Sequence, residues 1–241
     1  MKTEFSNEQF ESAYPDGIEH HWWLLARSRI VANMVKANTR PGSAVLEVGC
    51  GRGIVVKSLR EAGIDCAGVE LAEVKPIYAA ERYVFSGTDA IELSDLERQR
   101  YETILLLDVI EHIAKPVDFL QNLAEAFPNL SCVIVTVPAC PELWSNYDEF
   151  YGHYRRYTPA MLSQLSRQLC WKLTQTSYFF HLVYLPAWLI SQLKRKRETR
   201  LVAPTASARL LHRVVSWVMS ADYYLLPRRL VGTSAIACFR L

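Results

Sequence analysis

The residues best suited to holding a ligand lie in the segment 45–53, which reads Val-Leu-Glu-Val-Gly-Cys-Gly-Arg-Gly. Gly49, Gly51 and Gly53 alternate at the point where an apolar, strand-like run would turn into a helix. Because glycine has no Cβ atom, a cofactor can lie directly on this backbone. A dinucleotide-binding turn requires G-x-G-x-x-G, but both possible registers place an apolar residue at the last position. The spacing therefore argues against nicotinamide-dependent hydride transfer.

Three further strand-like segments each have an acidic residue at their end, shortly after it or within the segment. Glu70 stands 17 residues after Gly53, near the spacing at which nucleotide-binding α/β folds place a carboxylate on ribose hydroxyls. Asp89 comes shortly after the next such segment, and Asp108 interrupts the apolar run 104–109. Motifs that could bind a nucleoside therefore follow one another in order along the chain.

This order of motifs resembles the class I S-adenosylmethionine-dependent methyltransferases, whose first motif is an acid followed by G-x-G-x-G at the end of the first strand. The resemblance spans about residues 18–183 and resumes at 231–241. It implies S-adenosyl-L-methionine as the cofactor and no resident metal. The cofactor-binding residues implied by it are Arg27, Glu47, Gly49, Cys50, Gly51, Gly53, Glu70, Leu71, Asp89, Ala90, Asp108 and Val109.

Individual roles also follow from the resemblance. Glu70 resembles the ligand of the ribose hydroxyls, and Asp89 with the amide of Ala90 resembles the pair that reads the adenine edge. Asp108 resembles the residue beside the methionine moiety. By residue type, Trp22, Trp23 and Arg27 more often mean core packing than binding, and contact of Arg27 with the cofactor carboxylate is the alternative. The pair Trp22-Trp23 and the segment 152–158 resemble a bacterial subgroup that is often associated with envelope glycan or lipid precursors.

Methyl transfer from a sulfonium is an in-line displacement, so the protein mainly has to align the nucleophile and exclude water. A hydroxyl nucleophile would gain from a nearby base, and His112 and His153 are the candidate catalytic residues by residue type and neighbourhood. A carboxylate nucleophile would need neither. The alternative for His112 is a histidine that only shapes the cofactor pocket.

Two adjacent arginines follow an aromatic cluster just past a strand end, where substrates enter open α/β sheets. Guanidinium groups there could clamp a phosphate or a carboxylate. Alternatively, one arginine pairs with an acid such as Asp148 or Glu149 and only holds the loop. The predicted substrate-binding residues are Tyr151, Arg155, Arg156 and Tyr157.

The composition fits one globular domain of 241 residues, of which 50% are hydrophobic and 22% are charged. The net charge of +2 hides an asymmetry: residues 1–150 hold 13 Lys/Arg and 23 Asp/Glu, whereas residues 151–241 hold 14 and 2. A basic C-terminal part favours an anionic substrate, a phosphorylated carrier, nucleic acid or an acidic membrane surface.

The cysteines and the N-terminal residues indicate a reducing compartment. The six cysteines form no C-x-x-C pair, which argues against a disulfide framework and a zinc site. The first twenty residues contain five acids and one lysine and do not fit a secretory signal. We expect a cytoplasmic protein, with peripheral membrane contact left open.

Strand-like and helical segments alternate in the pattern of an α/β, Rossmann-like, doubly wound sheet of seven strands. A helix over 19–37 falls within an N-terminal helical cap, residues 1–40, and a helix after Thr158-Pro159 runs to Cys170. By the resemblance, the last two strands form a terminal antiparallel pair. The expected strands are 44–48, 66–70, 82–85, 103–108, 131–137, 171–178 and 232–241, and the other expected helices are 52–62 and 116–127.

A helical insertion, residues 180–230, separates the last two strands. The stretch 173–193 contains no Asp, Glu, Lys or Arg and is followed by Lys194-Arg195-Lys196-Arg197, like a membrane-spanning helix with a positive flank. Its first third is needed as a strand, so about a dozen apolar residues remain, too few to cross a bilayer. A lid and a membrane-surface helix stay open as alternatives.

The leading hypothesis is a methyltransferase that acts on a small or carrier-linked, anionic acceptor, most plausibly at oxygen, with a lipid or glycan precursor as a candidate. Residues 107–110 lack the Asn-Pro-Pro-Tyr type of motif, which argues against methylation of nucleic-acid bases. The basic C-terminal part keeps an RNA substrate open, although no RNA-binding signature is present. A non-catalytic scaffold that retains the cofactor pocket is the alternative from another class.

Overall fold

The computed structural model describes residues 5–193 and 196–241 and forms a seven-stranded sheet with helices on both faces. In chain order the elements are α1 (Asn7–Ala13), α2 (Trp22–Asn38), β1 (Ala44–Val48), α3 (Ile54–Glu61), β2 (Cys66–Glu70), β3 (Val84–Ser86), α4 (Asp95–Arg100), β4 (Tyr101–Leu107), α5 (Pro116–Ala126), β5 (Cys132–Pro138), α6 (Asn146–Phe150), α7 (Pro159–Leu169), β6 (Lys172–Phe179), α8 (His181–Gln192), α9 (Arg209–Leu225) and β7 (Ser234–Arg240).

The strand order is β3-β2-β1-β4-β5-β7-β6. The first five strands in that order are parallel, and β7 runs antiparallel to both β5 and β6. The predicted α/β fold with a terminal antiparallel pair is therefore confirmed. The carboxyl ends of β1, β2 and β4 meet at one edge, which is where ligands bind in open α/β sheets.

The central strands are almost continuously apolar because helices cover both sheet faces. Strands β4 and β5 are buried over nearly their whole length, and two large apolar clusters lie on the opposite faces of the sheet. Parallel pairing of β4 with β1 on one side and with β5 on the other places the loops that follow these strands at the same edge of the sheet.

The predicted boundaries of β1 and β2 agree with the structure residue by residue. Helix α3 begins at Ile54, two residues later than expected, because Gly51 and Gly53 adopt positive φ angles that a helix cannot use. Strand β3 covers only Val84–Ser86, since a 3₁₀ helix occupies Tyr78–Tyr83. The short helices α1, α4 and α6 are absent from the sequence-based expectations.

The expected insertion contains α8 and α9, and α9 packs along α2. Within residues 5–193 and 196–241, no helix is both long and apolar enough to cross a membrane. Of the basic run 194–197, Lys194 and Arg195 lie outside the described residues. The subdivision into a cap at 1–40 and an insertion at 180–230 stays a prediction.

Candidate functional site

The glycine turn after β1 is held against the end of β2. The amides of Gly49 and Cys50 both donate to the carbonyl of Val69, at 2.9 and 3.2 Å. The φ angles of Gly49, Gly51 and Gly53 are +75°, +54° and +75°, a region that L-residues with side chains adopt only under strain. These three glycines are therefore required by the backbone itself.

The carboxylate of Glu70 lies beside this turn and is almost fully buried. Its Oε2 accepts a hydrogen bond from the amide of Gly51 at 2.8 Å, and its Oε1 accepts one from the amide of Ala72 at 3.0 Å. Each carboxylate oxygen has capacity for a second donor. The pair of oxygens is thus oriented by the backbone and can still accept hydrogen bonds from ligand hydroxyls.

The end of the Tyr14 ring lies directly on the glycine turn. A Cβ atom added to Gly51 would lie 2.4 Å from Tyr14 Cζ and 2.5 Å from its hydroxyl oxygen. Burial, together with the nearby Glu70 carboxylate, raises the pKa of the Tyr14 hydroxyl well above its ordinary value. The space over the glycine turn, which we call the cradle, is therefore filled by the Tyr14 ring. No pattern in the sequence predicted this contact.

The segment that carries Tyr14 is attached at several points. Arg52 Nη1 donates to the carbonyl of Tyr14 at 3.2 Å and pairs with Asp16 at 2.8 Å. The amide of Leu201 donates to the carbonyl of Ser12 at 2.9 Å. Residues 5–20, which we call the N-terminal strap, thus cross the glycine turn. The one feature of the sequence that could have indicated this contact is an aromatic residue, Tyr14, within an acidic N-terminal stretch.

A buried charged group lies next to the turn. Arg27, on α2, forms an ion pair with Asp108 at the end of β4, and its guanidinium carbon lies 4.3 Å from the centroid of the Trp23 ring. Among the described residues, Arg27 Nε and Glu47 Oε2 have no hydrogen-bond partner. Burial raises the pKa of Glu47 from 4.5 to about 8, although Arg27 opposes this shift.

The remaining predicted cofactor residues lie at the same sheet edge. The Asp89 side chain accepts a hydrogen bond from the amide of Ile91 at 3.3 Å and caps a short 3₁₀ helix that begins at Ala90. The side chain of Val109 lies against Gly49, with its Cγ2 2.9 Å from a Cβ built there. Cys50 is buried and Leu71 is half-buried. Their roles toward a cofactor stay predictions.

Both candidate catalytic histidines meet beside the turn that follows β4. The rings of His112 and His153 are edge to face with centroids 4.6 Å apart. His153 Nδ1 lies 2.8 Å from Asp148 Oδ1. Burial and the neighbouring His153 lower the pKa of His112 to about 3, which keeps its imidazole neutral at physiological pH.

A buried acid completes this cluster. Glu111 is fully buried, and neither of its carboxylate oxygens has a hydrogen-bond partner among the described residues. Burial and the charge of Asp108 raise its pKa well above the ordinary value. One ligand atom from each of Glu111, His112 and His153 falls within 4.8 Å of the others, a spacing that suits a cation. The expectation of a metal-free site thus stays a prediction.

The guanidinium of Arg156 is engaged with its own loop. Its Nε and Nη2 donate to the two carboxylate oxygens of Asp148 at 2.8 and 3.0 Å, and its Nη1 donates to the carbonyl of Ala139 at 3.1 Å. Although burial opposes this shift, hydrogen bonds from His153 and Arg156 lower the pKa of Asp148 to about 2. The geometry therefore does not support Arg156 as an anion clamp, because its guanidinium is buried and engaged internally.

The other three predicted substrate residues are also engaged, but to different degrees. Tyr151 and Tyr157 are buried, and their hydroxyls donate to the carbonyls of Thr199 at 2.8 Å and Ile110 at 3.2 Å. This use of both hydroxyls inside the fold does not support direct substrate binding. Arg155 is more accessible and donates to the carbonyl of Ala114 at 2.7 Å. The substrate-binding role of all four residues stays a prediction, and Arg155 is the most accessible of them.

Comparison with protein families gives a match over residues 23–178 to a family described as a methyltransferase domain. Among curated relatives, the mitochondrial ubiquinone biosynthesis O-methyltransferase of Arabidopsis thaliana is 30% identical over 108 residues, which cover 40% of this chain and 33% of that protein. The ubiquinone biosynthesis O-methyltransferase of Rickettsia prowazekii is 27% identical over 150 residues, covering 54% and 58%. The chain spans less than two thirds of either relative.

Two solved structures of similar fold contain bound S-adenosylhomocysteine. Phosphoethanolamine N-methyltransferase 2 of Haemonchus contortus, in complex with S-adenosylhomocysteine, has a TM-score of 0.57 and 16% identity, covering 98% of this chain and 60% of that one. The magnesium protoporphyrin IX methyltransferase of Synechocystis PCC 6803, with bound SAH, has a TM-score of 0.54 and 15% identity, covering 97% and 92%. At these identities the likeness establishes the fold.

Proposed function

The chain belongs to the class I S-adenosylmethionine-dependent methyltransferases, and from this premise we propose that it methylates an oxygen atom of a small or carrier-linked acceptor. The candidate acceptors are anionic lipid or glycan precursors. The observation that carries the proposal is the family match over 23–178 together with the glycine turn and the backbone-oriented carboxylate of Glu70. Both curated relatives are O-methyltransferases, which supports oxygen as the acceptor atom.

The residues of the cradle fit S-adenosylmethionine. A Cβ atom at Gly49 or Gly53 would collide with neighbouring side chains, so only a bare backbone can form this turn. The oxygens of Glu70 can accept from ribose hydroxyls. Arg27 and Asp108 carry opposite charges side by side, which complements the carboxylate and the ammonium of the methionine moiety. When bound, the cofactor supplies an electrophilic methyl group on sulfur.

A proton acceptor for the acceptor hydroxyl is provided by His153. The carboxylate of Asp148 fixes the His153 ring through Nδ1 at 2.8 Å, and Arg156 in turn holds Asp148 with two hydrogen bonds. This leaves Nε2 of His153 as the basic nitrogen. His112, which is neutral and packs against His153, lines the same space. We therefore assign proton removal to His153 and positioning to Asp148.

An anionic acceptor is favoured by the charge of the C-terminal part. Residues 151–241 hold 14 Lys/Arg against 2 Asp/Glu, so the electrostatic potential there attracts phosphate or carboxylate groups. Arg155 lies at the start of this region beside the histidine cluster. A carrier-linked lipid or glycan precursor would also bring the enzyme into peripheral contact with a membrane.

The proposal is tested in two steps. Calorimetric titration with S-adenosylmethionine and S-adenosylhomocysteine measures cofactor binding. Incubation with a methyl-labelled donor and fractionated lipid and glycan-precursor extracts then measures transfer. We expect binding, and base-labile or ether-type label in an anionic fraction. Binding without transfer to any fraction would favour a non-catalytic scaffold, and label recovered in RNA would favour an RNA methyltransferase.

The role of His153 has its own test. We expect His153→Ala to lower kcat by about a hundredfold, the usual contribution of a general base, while the dissociation constant for S-adenosylhomocysteine stays unchanged. The matched control is His20→Ala, because His20 is a half-buried histidine in the strap outside this cluster. An unchanged kcat in the His153 variant would remove the base from the mechanism.

A further inference from the structure

Helix α8 presents its apolar side to the outside of the molecule. Its exposed side chains recur at intervals of three and four residues and therefore share one helix face. The exposed apolar side chains along this face, including the residue that caps the helix, are Leu182, Leu185, Leu189, Ile190 and Leu193. Single exposed leucines are common on protein surfaces, but a continuous apolar face is not.

Helix α9, which contacts α8, also exposes apolar side chains. Its exposed apolar side chains are Leu210, Leu211, Val214, Trp217, Val218 and Leu225. The side chains that α9 buries against the protein include polar ones, namely Ser216, Ser220 and Asp222. An ordinary surface helix has the opposite arrangement. Both adjacent helices of the insertion thus expose apolar side chains, and α9 in addition buries polar ones.

The part of the sequence that carries these faces is basic. Residues 180–230 hold nine Lys/Arg and two Asp/Glu, and one of the two acids, Asp222, is buried. The guanidinium carbon of Arg29 lies 3.9 Å from the centroid of the Trp217 ring. Within the part of the chain that the structure describes, neither Arg29 nor the exposed Arg213 forms an ion pair with a carboxylate. Two arginines that have no carboxylate partner among the described residues therefore border the apolar surface of α9.

We propose that the outward faces of α8 and α9 dock on an anionic lipid bilayer, with their leucines and Trp217 in the interface and the surrounding arginines on lipid phosphates. Apolar side chains with Trp, bordered by basic residues, are the features of helices that lie in the plane of a membrane interface. With 12 residues, α8 is about 18 Å long, too short to cross a bilayer.

Charge complementarity distinguishes the bilayer from a second copy of the chain. A two-fold symmetric interface would place this basic, apolar patch against the same patch of the second copy, and the like charges disfavour association. An anionic bilayer instead supplies the phosphates that these arginines lack. The biological purpose of this docking rests on the proposed function, since docking would bring the enzyme to a lipid-linked acceptor. The docking itself does not depend on methyl transfer.

Flotation of the full chain with lipid vesicles tests the proposal without any methyl donor. We expect the protein to float with vesicles of equal parts phosphatidylcholine and phosphatidylglycerol, and to float less with pure phosphatidylcholine or at high salt. The double variant L185E/L189E should lose roughly tenfold or more of the vesicle-bound fraction. The matched control L96E changes a leucine that is 82% exposed on α4, away from the insertion, and should float like the wild type.

Two further measurements keep the outcomes distinct. The melting temperature and the affinity for S-adenosylhomocysteine establish that L185E/L189E is folded, and both should equal those of the wild type. Failure of the wild type to float, equal loss in L96E, or a lipid-free dimer that L185E/L189E converts to a monomer would overturn the docking proposal. Methyl transfer to an acceptor without vesicle binding would refute the docking while leaving the proposed function intact.

Discussion

At the scale of single residues, the candidate cofactor site combines groups that the fold positions but leaves incompletely paired. Glu47 and Arg27 are buried, and each has one polar side-chain atom without a partner among the described residues. Burying such an atom costs free energy unless something else satisfies it. A zwitterionic ligand bound beside them would offset that cost. One prediction concerns the buried Glu47, and a second concerns the buried Arg27.

The first prediction concerns the pH dependence of stability. Because the pKa of Glu47 is raised from 4.5 to about 8 in the folded protein, the folded state keeps a proton that the unfolded chain releases. The contribution of this group to stability is therefore complete below pH 4.5 and is lost as the pH rises through about 8. Glu47→Gln has no proton to lose, so its melting temperature should fall less over this window.

Melting temperatures of the cofactor-free wild type and Glu47→Gln from pH 5 to pH 9 provide the measurement. Each pKa unit is worth about 1.4 kcal/mol, so even one unit corresponds to roughly 3 to 6 °C in a chain of this size. Glu61→Gln, at an exposed acid on α3, is the control. Parallel curves for wild type and Glu47→Gln would show that burial does not raise the pKa of Glu47.

The second prediction concerns the Arg27–Asp108 pair. Arg27→Met removes the cation expected to meet the cofactor carboxylate and leaves Asp108 uncompensated. We expect affinity for S-adenosylmethionine to fall roughly tenfold or more, since charge-assisted hydrogen bonds each contribute about 1.5–3 kcal/mol. Calorimetry should show no such change for Arg40→Met, whose ion pair with Glu102 lies on the surface. Equal affinities of the two variants would exclude Arg27 from the site.

At the scale of elements, the sequence predicted the parts of the site that depend on local patterns. The bounds of β1 and β2 and the position of Glu70 follow from short apolar runs that end in glycine or acid. The capped start of α7 was also predictable, since Thr158 accepts a hydrogen bond from the amide of Met161 at 3.2 Å and Pro159 occupies the first turn.

Contacts between distant segments could not be predicted in this way. Arg156 and Asp148 are only eight residues apart, yet the sequence left open whether the arginine faced a substrate or the loop. The ring of Tyr14 meets Gly51 across 37 residues of chain. Such contacts depend on how the strap docks, which no local periodicity encodes. The exposed apolar faces of α8 and α9 likewise become visible only once the buried side of each helix is known.

The strap yields a prediction about cofactor entry. Since the Tyr14 ring lies on Gly51, a cofactor can occupy the turn only after the ring moves, which lowers its apparent affinity and association rate. Tyr14→Ala should associate with S-adenosylhomocysteine about tenfold faster than the wild type. Tyr14→Phe keeps the ring and should behave like the wild type.

Stopped-flow fluorescence can follow this association because Trp23 packs on Arg27 at the site. The melting temperature of each variant controls for loss of the strap as a whole. Slower or unchanged association of Tyr14→Ala would mean that the ring does not compete with the cofactor.

At the scale of the whole molecule, the two parts of the chain differ in charge and in the work they do. The acidic residues 1–150 form most of the cofactor edge, at the carboxyl ends of β1, β2 and β4. The basic residues 151–241 contribute His153, the antiparallel pair and the insertion. Under the proposed function, this division would direct an anionic acceptor or an anionic surface toward residues 151–241 while residues 1–150 hold the cofactor.

The most direct measurement is a crystal structure of the protein grown with saturating S-adenosylhomocysteine. We expect adenosine density over the glycine turn, ribose hydroxyls within hydrogen-bond distance of Glu70, and the Tyr14 ring displaced from Gly51. A Tyr14 ring that still covers Gly51, with the ligand absent or bound elsewhere on the protein, would mean that the glycine turn is not the cofactor site.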